Sequence, residues 1–157
     1  MKRKLLAFVL AWLVGIATFS GLKLPVMAEE LEEDLDYSYF TADNALFGYI
    51  AAQTRGVYLA SGDSAISKIS SYKIGAAGET TAATRCDVSL TVIVERYNME
   101  ADMWGFITSW TAEKEDALYV AISKSLVVDS GYYYRVRSLH YAGSDASSSY
   151  TNALYVY

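Results

Sequence analysis

The stretch "GYYYRVRSLHYAGS", residues 131–144, holds three consecutive tyrosines, two arginines alternating with small or apolar residues, and the sole histidine of the 157-residue chain. Successive side chains of a β-strand point to opposite faces. On that period Tyr132, Tyr134, Val136, Ser138 and His140 share one face, and Tyr133, Arg135, Arg137, Leu139 and Tyr141 share the other. Both arginines fall in the second set, so the first is expected to face a core.

The neighbouring segments read the same way. Before the stretch, "DSG" (129–131) is a turn signal, and "LYVAISKSLVV" (118–128) alternates Leu118, Val120 and Ile122 with Tyr119, Ala121 and Ser123. Further back lie "MWGFITSWTAE" (103–113) and "TRCDVSLTVIVERY" (84–97), the longest clear strand. The charged "EKEDA" reads as a turn and "GAAGETTAA" (75–83) as a small-residue connector. "GVYLASG" and "SAISKISSYKI" are short candidate strands. After the stretch, "SDASSS" reads as a turn into a last strand, "YTNALYVY". About seven short strands with no long helical pattern between them predict an all-β, antiparallel sandwich or barrel over residues 55–157.

Residues 29–54 read differently. "EELEEDLD" carries six carboxylates in eight residues, the composition of a solvated acidic tail. In "TADNALFGYIAAQT", a capping Thr or Asp before Leu46, Phe47 and Ile50 suits a short amphipathic helix, or else an extended segment docked on the sheet. Residues 1–28 have the layout of a secretory signal: Lys2, Arg3 and Lys4, then a long apolar run, then small or apolar residues at Val26 and Ala28. The apolar run is at or below the span of a bilayer, so no membrane attachment is expected after cleavage.

With the signal removed, nine basic residues face eighteen acidic ones, which argues against nucleic acid and anionic membranes as partners. Cys86 is the one cysteine, so no intramolecular disulfide is possible. It stands in phase with Val88, Leu90, Val92 and Val94, which predicts a buried structural position. Trp104 and Trp110 share a phase with Phe106 and Thr108 and are likewise expected in the core.

From Gly131 through Tyr132, Tyr134, Val136 and Ser138 to the closing "ALYVY", the chain resembles the last two strands of a fibronectin type III or immunoglobulin-like sandwich. That resemblance implies that Tyr132 bonds back to the backbone just upstream. Cys86 departs from the immunoglobulin type, because the strand containing Tyr134 offers it no partner cysteine. The blocks "RGVYLASG", "VIVERY", "SWTAE" and "GYYYRVRSLHYA" look similar to small secreted proteins of Gram-positive bacteria that carry a domain of unknown function. This implies secretion and a compact β-domain, with no catalytic residues to carry over.

Catalytic chemistry has little to draw on. Any Ser-His-Asp or Cys-His mechanism would have to use His140, and neither a G-x-S-x-G nor a thiol-protease motif is present. One His and one Cys do not make a zinc site, and no EF-hand or phosphate loop is found, so no metal or cofactor is expected. Aromatics are the feature that stands out: fourteen tyrosines, with Tyr58, Tyr133, Tyr141, Tyr155 and Tyr157 expected to point outward. A tyrosine ring offers a large rigid contact and a hydroxyl at low entropic cost. The expected function is therefore a secreted, non-enzymatic module that binds an extracellular protein or glycan through Tyr133, Arg135, Arg137, Tyr141, Tyr155 and Tyr157 and the Ser-rich segment 143–149. The alternatives are a small hydrolase using His140 with a carboxylate, and a bacteriocin-like effector.

Overall fold

A computed structural model describes residues 35–51 and 56–157; the signal reading and most of the acidic tail lie outside the described residues. Seven strands form one antiparallel sheet: β1 (Ala45–Tyr49), β2 (Leu59–Ser70), β3 (Lys73–Asn98), β4 (Met103–Val127), β5 (Tyr132–Ala142), β6 (Asp145–Tyr150) and β7 (Leu154–Val156). No helix occurs among these residues.

The two long strands give the sheet its shape. Along one edge β3 pairs with β4 throughout; along the other it pairs with β2 over Lys73–Ala82 and with β5 over Val88–Arg96. Between these stretches the β3–β4 register is irregular at Thr81, Cys86 and Val88, opposite Asp116 with its φ of 45°. Irregularities of this kind bend a strand and increase its twist. The result is two leaves of one sheet, β1-β2-β3-β4 and β4-β3-β5-β6/β7, folded face to face into a nearly closed barrel.

Three connector readings are thereby corrected. "GAAGETTAA" and "EKEDA" lie inside β3 and β4, because the ladder absorbs their extra residues as a bend instead of ending. "SDASSS" is a two-residue turn at Gly143–Ser144 followed by β6. The Asp145 carboxylate anchors that turn by accepting from the Tyr58 and Leu59 backbone amides at 2.5 and 3.1 Å.

The helix expected around residues 41–54 is a strand. β1 pairs with β2 from Ala45↔Ser67 to Tyr49↔Asp63, as in the docked-segment alternative. Its alternation points Leu46, Gly48 and Ile50 inward, and a side chain at Gly48 would run into the backbone of Tyr150 and Thr151. Glycine there lets β1 approach the end of β6 and draw the barrel toward closure.

Between the leaves lie Leu59, Ile66, Ile74, Val88, Leu90, Val92, Val94, Val120, Tyr134, Val136 and Val156, all buried. The inward phase of β5 holds from Tyr134 to Ala142. Tyr132 departs from expectation: it sits beyond the core's end, 39% exposed, with the Arg96 guanidinium 4.5 Å above its ring. The backward hydroxyl bond belongs to Tyr134, which donates to the Asp129 carbonyl at 2.9 Å.

The shared phase of the tryptophans also breaks. Val94 pairs with Thr108 but Glu95 pairs with Phe106, so Ile107 is an extra residue in β4. That bulge leaves Trp110 packed against the core and turns Phe106 and Trp104 to the outer face. Cys86 lies at the bend, half-buried against the core's margin, as a free thiol.

Candidate functional site

His140 sits in the core with no exposed surface, inside a chain of hydroxyls contributed by both leaves. Its Nδ1 is 2.9 Å from Thr80 Oγ1 and its Nε2 is 2.8 Å from Ser149 Oγ. Ser149 is 2.5 Å from Ser64 Oγ, which donates to Ser138 Oγ at 2.8 Å. Each hydroxyl has a single proton to donate. Ser64 gives its proton to Ser138, so Ser149 must donate to Ser64, and the proton between His140 and Ser149 must sit on Nε2. Nδ1 then accepts from Thr80, whose one proton takes this 2.9 Å bond over the longer 3.4 Å contact with the Ser89 carbonyl. The five side chains form one directed series with the imidazole neutral and its tautomer fixed.

Burial pulls the His140 pKa from 6.5 down to about 4. Among the described residues no carboxylate bonds to either ring nitrogen; the partners are the Thr80 and Ser149 hydroxyls, where the hydrolase alternative needs an acid. The space for the ring comes from β2: a side chain at Gly62 would meet the imidazole at 2.6 Å.

On the outer face of the second leaf, Tyr133 pairs with Tyr155 across β5 and β7, with ring centroids 4.8 Å apart. Tyr155 stacks in turn on Tyr157 at 6.1 Å, and Lys68 Nζ lies 2.9 Å from the Tyr157 ring centre. These three tyrosines form an exposed ladder. Beside it, Glu95 bridges two guanidiniums, with Arg135 Nε at 2.6 Å and Arg137 Nε at 3.2 Å. Arg135 also lies over the rings of Trp104 at 4.3 Å and Tyr150 at 5.3 Å. Tyr141 shares this face but stands eight residues along β5 from Tyr133, about 26 Å at the rise of a strand. Tyr58, expected outward, packs against the core.

The first leaf carries a second feature, which sequence reasoning missed. Its outer face has small residues at Ala65, Gly75 and Ala77, and the segment 36–40 lies across it. Tyr39 rests on Gly75 and bonds to Ser123 Oγ at 3.0 Å, while Ser123 donates to the Asp36 carbonyl at 2.6 Å. Beside this strap opens a groove of about 270 Å³ walled by Tyr37, Phe40, Phe47 and Tyr49, with Asp63 and Glu79 opposite one another in register. The signal was present in the alternation of Gly75, Ala77 and Glu79, which marks a shallow outer floor once the segment is read as a strand.

Among the described residues no group of three or more His, Cys, Asp and Glu side chains is placed to hold a metal ion. A family model described as a family of unknown function, DUF6147, matches residues 27–155. No curated protein and no solved structure matches the chain.

Proposed function

For a chain that belongs to this family of unknown function, we propose a secreted, non-enzymatic binding module that recognises an extracellular glycan through the outer face of β5 and β7. The observation that carries the reading is the ladder of Tyr133, Tyr155 and Tyr157, three exposed rings in line with hydroxyls at their rims. Sugar rings stack on aromatic faces while their hydroxyls bond to polar rims, and a row of such rings suits an extended oligosaccharide. Arg135 and Arg137 flank the row, held in place by Glu95. Their fixed geometry lowers the entropic cost of contacting a ligand.

A protein partner is the second reading, favoured by Arg135 lying over Trp104 and Tyr150, since Trp, Tyr and Arg dominate binding energy at protein interfaces. The likeness to immunoglobulin-like or fibronectin type III modules, and an origin among secreted Gram-positive proteins, belong to this proposal. So does removal of residues 1–28. Against a hydrolase stand the enclosure of His140 and its hydroxyl partners.

The test is a titration of the protein with cell-wall and mucin-type glycans, followed by the ring resonances of Tyr133, Tyr155 and Tyr157. Saturable shifts that disappear in Tyr155→Ala support the glycan reading. Shifts confined to other residues, or none with any glycan while a protein partner protects Arg135, would transfer the face to the second reading.

A further inference from the structure

We propose that the groove on the first leaf is a second binding site, distinct from the tyrosine ladder, for a protonated primary amine carried on a slender alkyl stem: the side chain of a lysine in a peptide. Its composition differs from that of the ladder. Four aromatic rings, from Tyr37, Phe40, Phe47 and Tyr49, surround a floor that includes Ala65 and Ala77, and two carboxylates, Asp63 and Glu79, stand side by side across β2 and β3. Aromatic faces attract cations through their quadrupole. A carboxylate adds a charge-assisted hydrogen bond, roughly twice as strong as a neutral one. A lysine stem lies well on an apolar floor while its ammonium reaches a polar end.

The parts are held in place before any ligand arrives. Tyr119 donates to Glu79 Oε2 at 2.9 Å, which orients that carboxylate, and burial pushes the Tyr119 pKa up, so the phenol remains a donor. Tyr37 and Phe40 belong to a turn closed by a 2.9 Å bond from the Phe40 amide to the Tyr37 carbonyl, and the strap is tied to β4 at Ser123. Nevertheless Phe47 and Tyr49 remain largely exposed, at 47% and 67%. Charge complementarity selects the ligand. The chain is acidic overall, with a formal charge of -5, which draws cations toward it and repels phosphates and sulfates. A neutral sugar would use the Glu79 carboxylate only as an acceptor for its hydroxyls, whereas an ammonium engages both that carboxylate and the rings.

The probes are Nα-acetyl-lysine methylamide, its Nε-acetylated form and glucosamine, each titrated into the isotope-labelled full chain while the backbone amides of Ala65 and Ala77 are followed. The expected result is a saturable shift of these amides with the lysine probe and none with the Nε-acetylated form. Affinity should fall at least tenfold in Glu79→Gln, and also in Tyr49→Ala, which removes an exposed wall and leaves the Glu79–Tyr119 bond in place. Equal shifts from the acetylated probe, no shift at all, or unchanged affinity in Tyr49→Ala would overturn the proposal. Tighter binding of glucosamine than of the lysine probe would assign the groove to amino sugars and overturn the peptide assignment. Because the ladder lies on the other leaf and is read by other resonances, failure at either site is distinguishable from failure at the other.

Discussion

The two faces of β5 place their polar groups in opposite circumstances. Inward, Ser138 and His140 belong to a chain of hydrogen-bonded hydroxyls closed to water. Outward, Arg135 and Arg137 share the Glu95 carboxylate and lie among rings that still meet solvent. A buried polar group that loses its partner bears the full cost of desolvation, whereas an exposed one turns to water. One strand therefore separates residues that hold the fold from residues free to recognise something, and the alternation of its sequence is the device.

The largest effect expected from this contrast is at His140. His140→Ala removes a filled core volume and takes one hydrogen bond each from Thr80 and Ser149, and chemical denaturation should show a loss of about 2 to 5 kcal/mol. Next is Tyr134→Phe, which deletes the bond to the Asp129 carbonyl and should cost about 1 to 3 kcal/mol. Tyr132→Phe, measured alongside, should stay within about 0.5 kcal/mol, because that ring lies at the open end of the barrel. Reversal of this ranking would mean that the backward hydroxyl bond belongs to Tyr132 after all.

A buried hydroxyl lacking a partner sharpens the same comparison. Ser67 Oγ is enclosed near Gly75 and Tyr39 with no hydrogen bond among the described residues. Ser67→Ala should raise the unfolding free energy by about 1 kcal/mol, since the hydroxyl is desolvated without return. The smallest effect is on the outer face. Tyr157→Ala should change stability by only about 0.5 kcal/mol, the scale of its exposed contact with Lys68, while weakening glycan binding. A large stability loss there would make the ladder a structural prop.

The inner and outer sets of β5 were legible in the sequence because a strand's period of two is unambiguous over eleven residues. What stayed hidden depends on pairing. "EKEDA" and "GAAGETTAA" have turn composition, yet β3 and β4 continue through them because each supplies the other's ladder and the mismatch becomes a bend. Leu46, Phe47 and Ile50 fit a helical spacing as well as a strand. What decides is the close approach of Gly48 to β6, a contact spanning about a hundred residues. The single extra residue at Ile107 that parts Trp104 from Trp110 leaves no mark in composition. Of the candidate site, the tyrosines of β5 and the last strand were found from their phase. The groove was missed because its walls and carboxylates come from the strap, β1, β2 and β3, and no local window contains them.

The most direct test of the division between the two faces is the titration of His140 followed by nitrogen NMR, with the unfolding free energy measured over the same pH range. The folded pKa is depressed below the value of 6.5, so the stabilising effect of keeping this ring neutral is complete above pH 6.5 and is lost as pH falls toward 4. The expected result is a neutral ring with its proton on Nε2, a pKa of about 4, and a loss of roughly 3 kcal/mol between those pH values. A pKa at or above 6.5, with a ring proton that exchanges freely with water, would contradict it and place the histidine on a surface where it could meet a substrate.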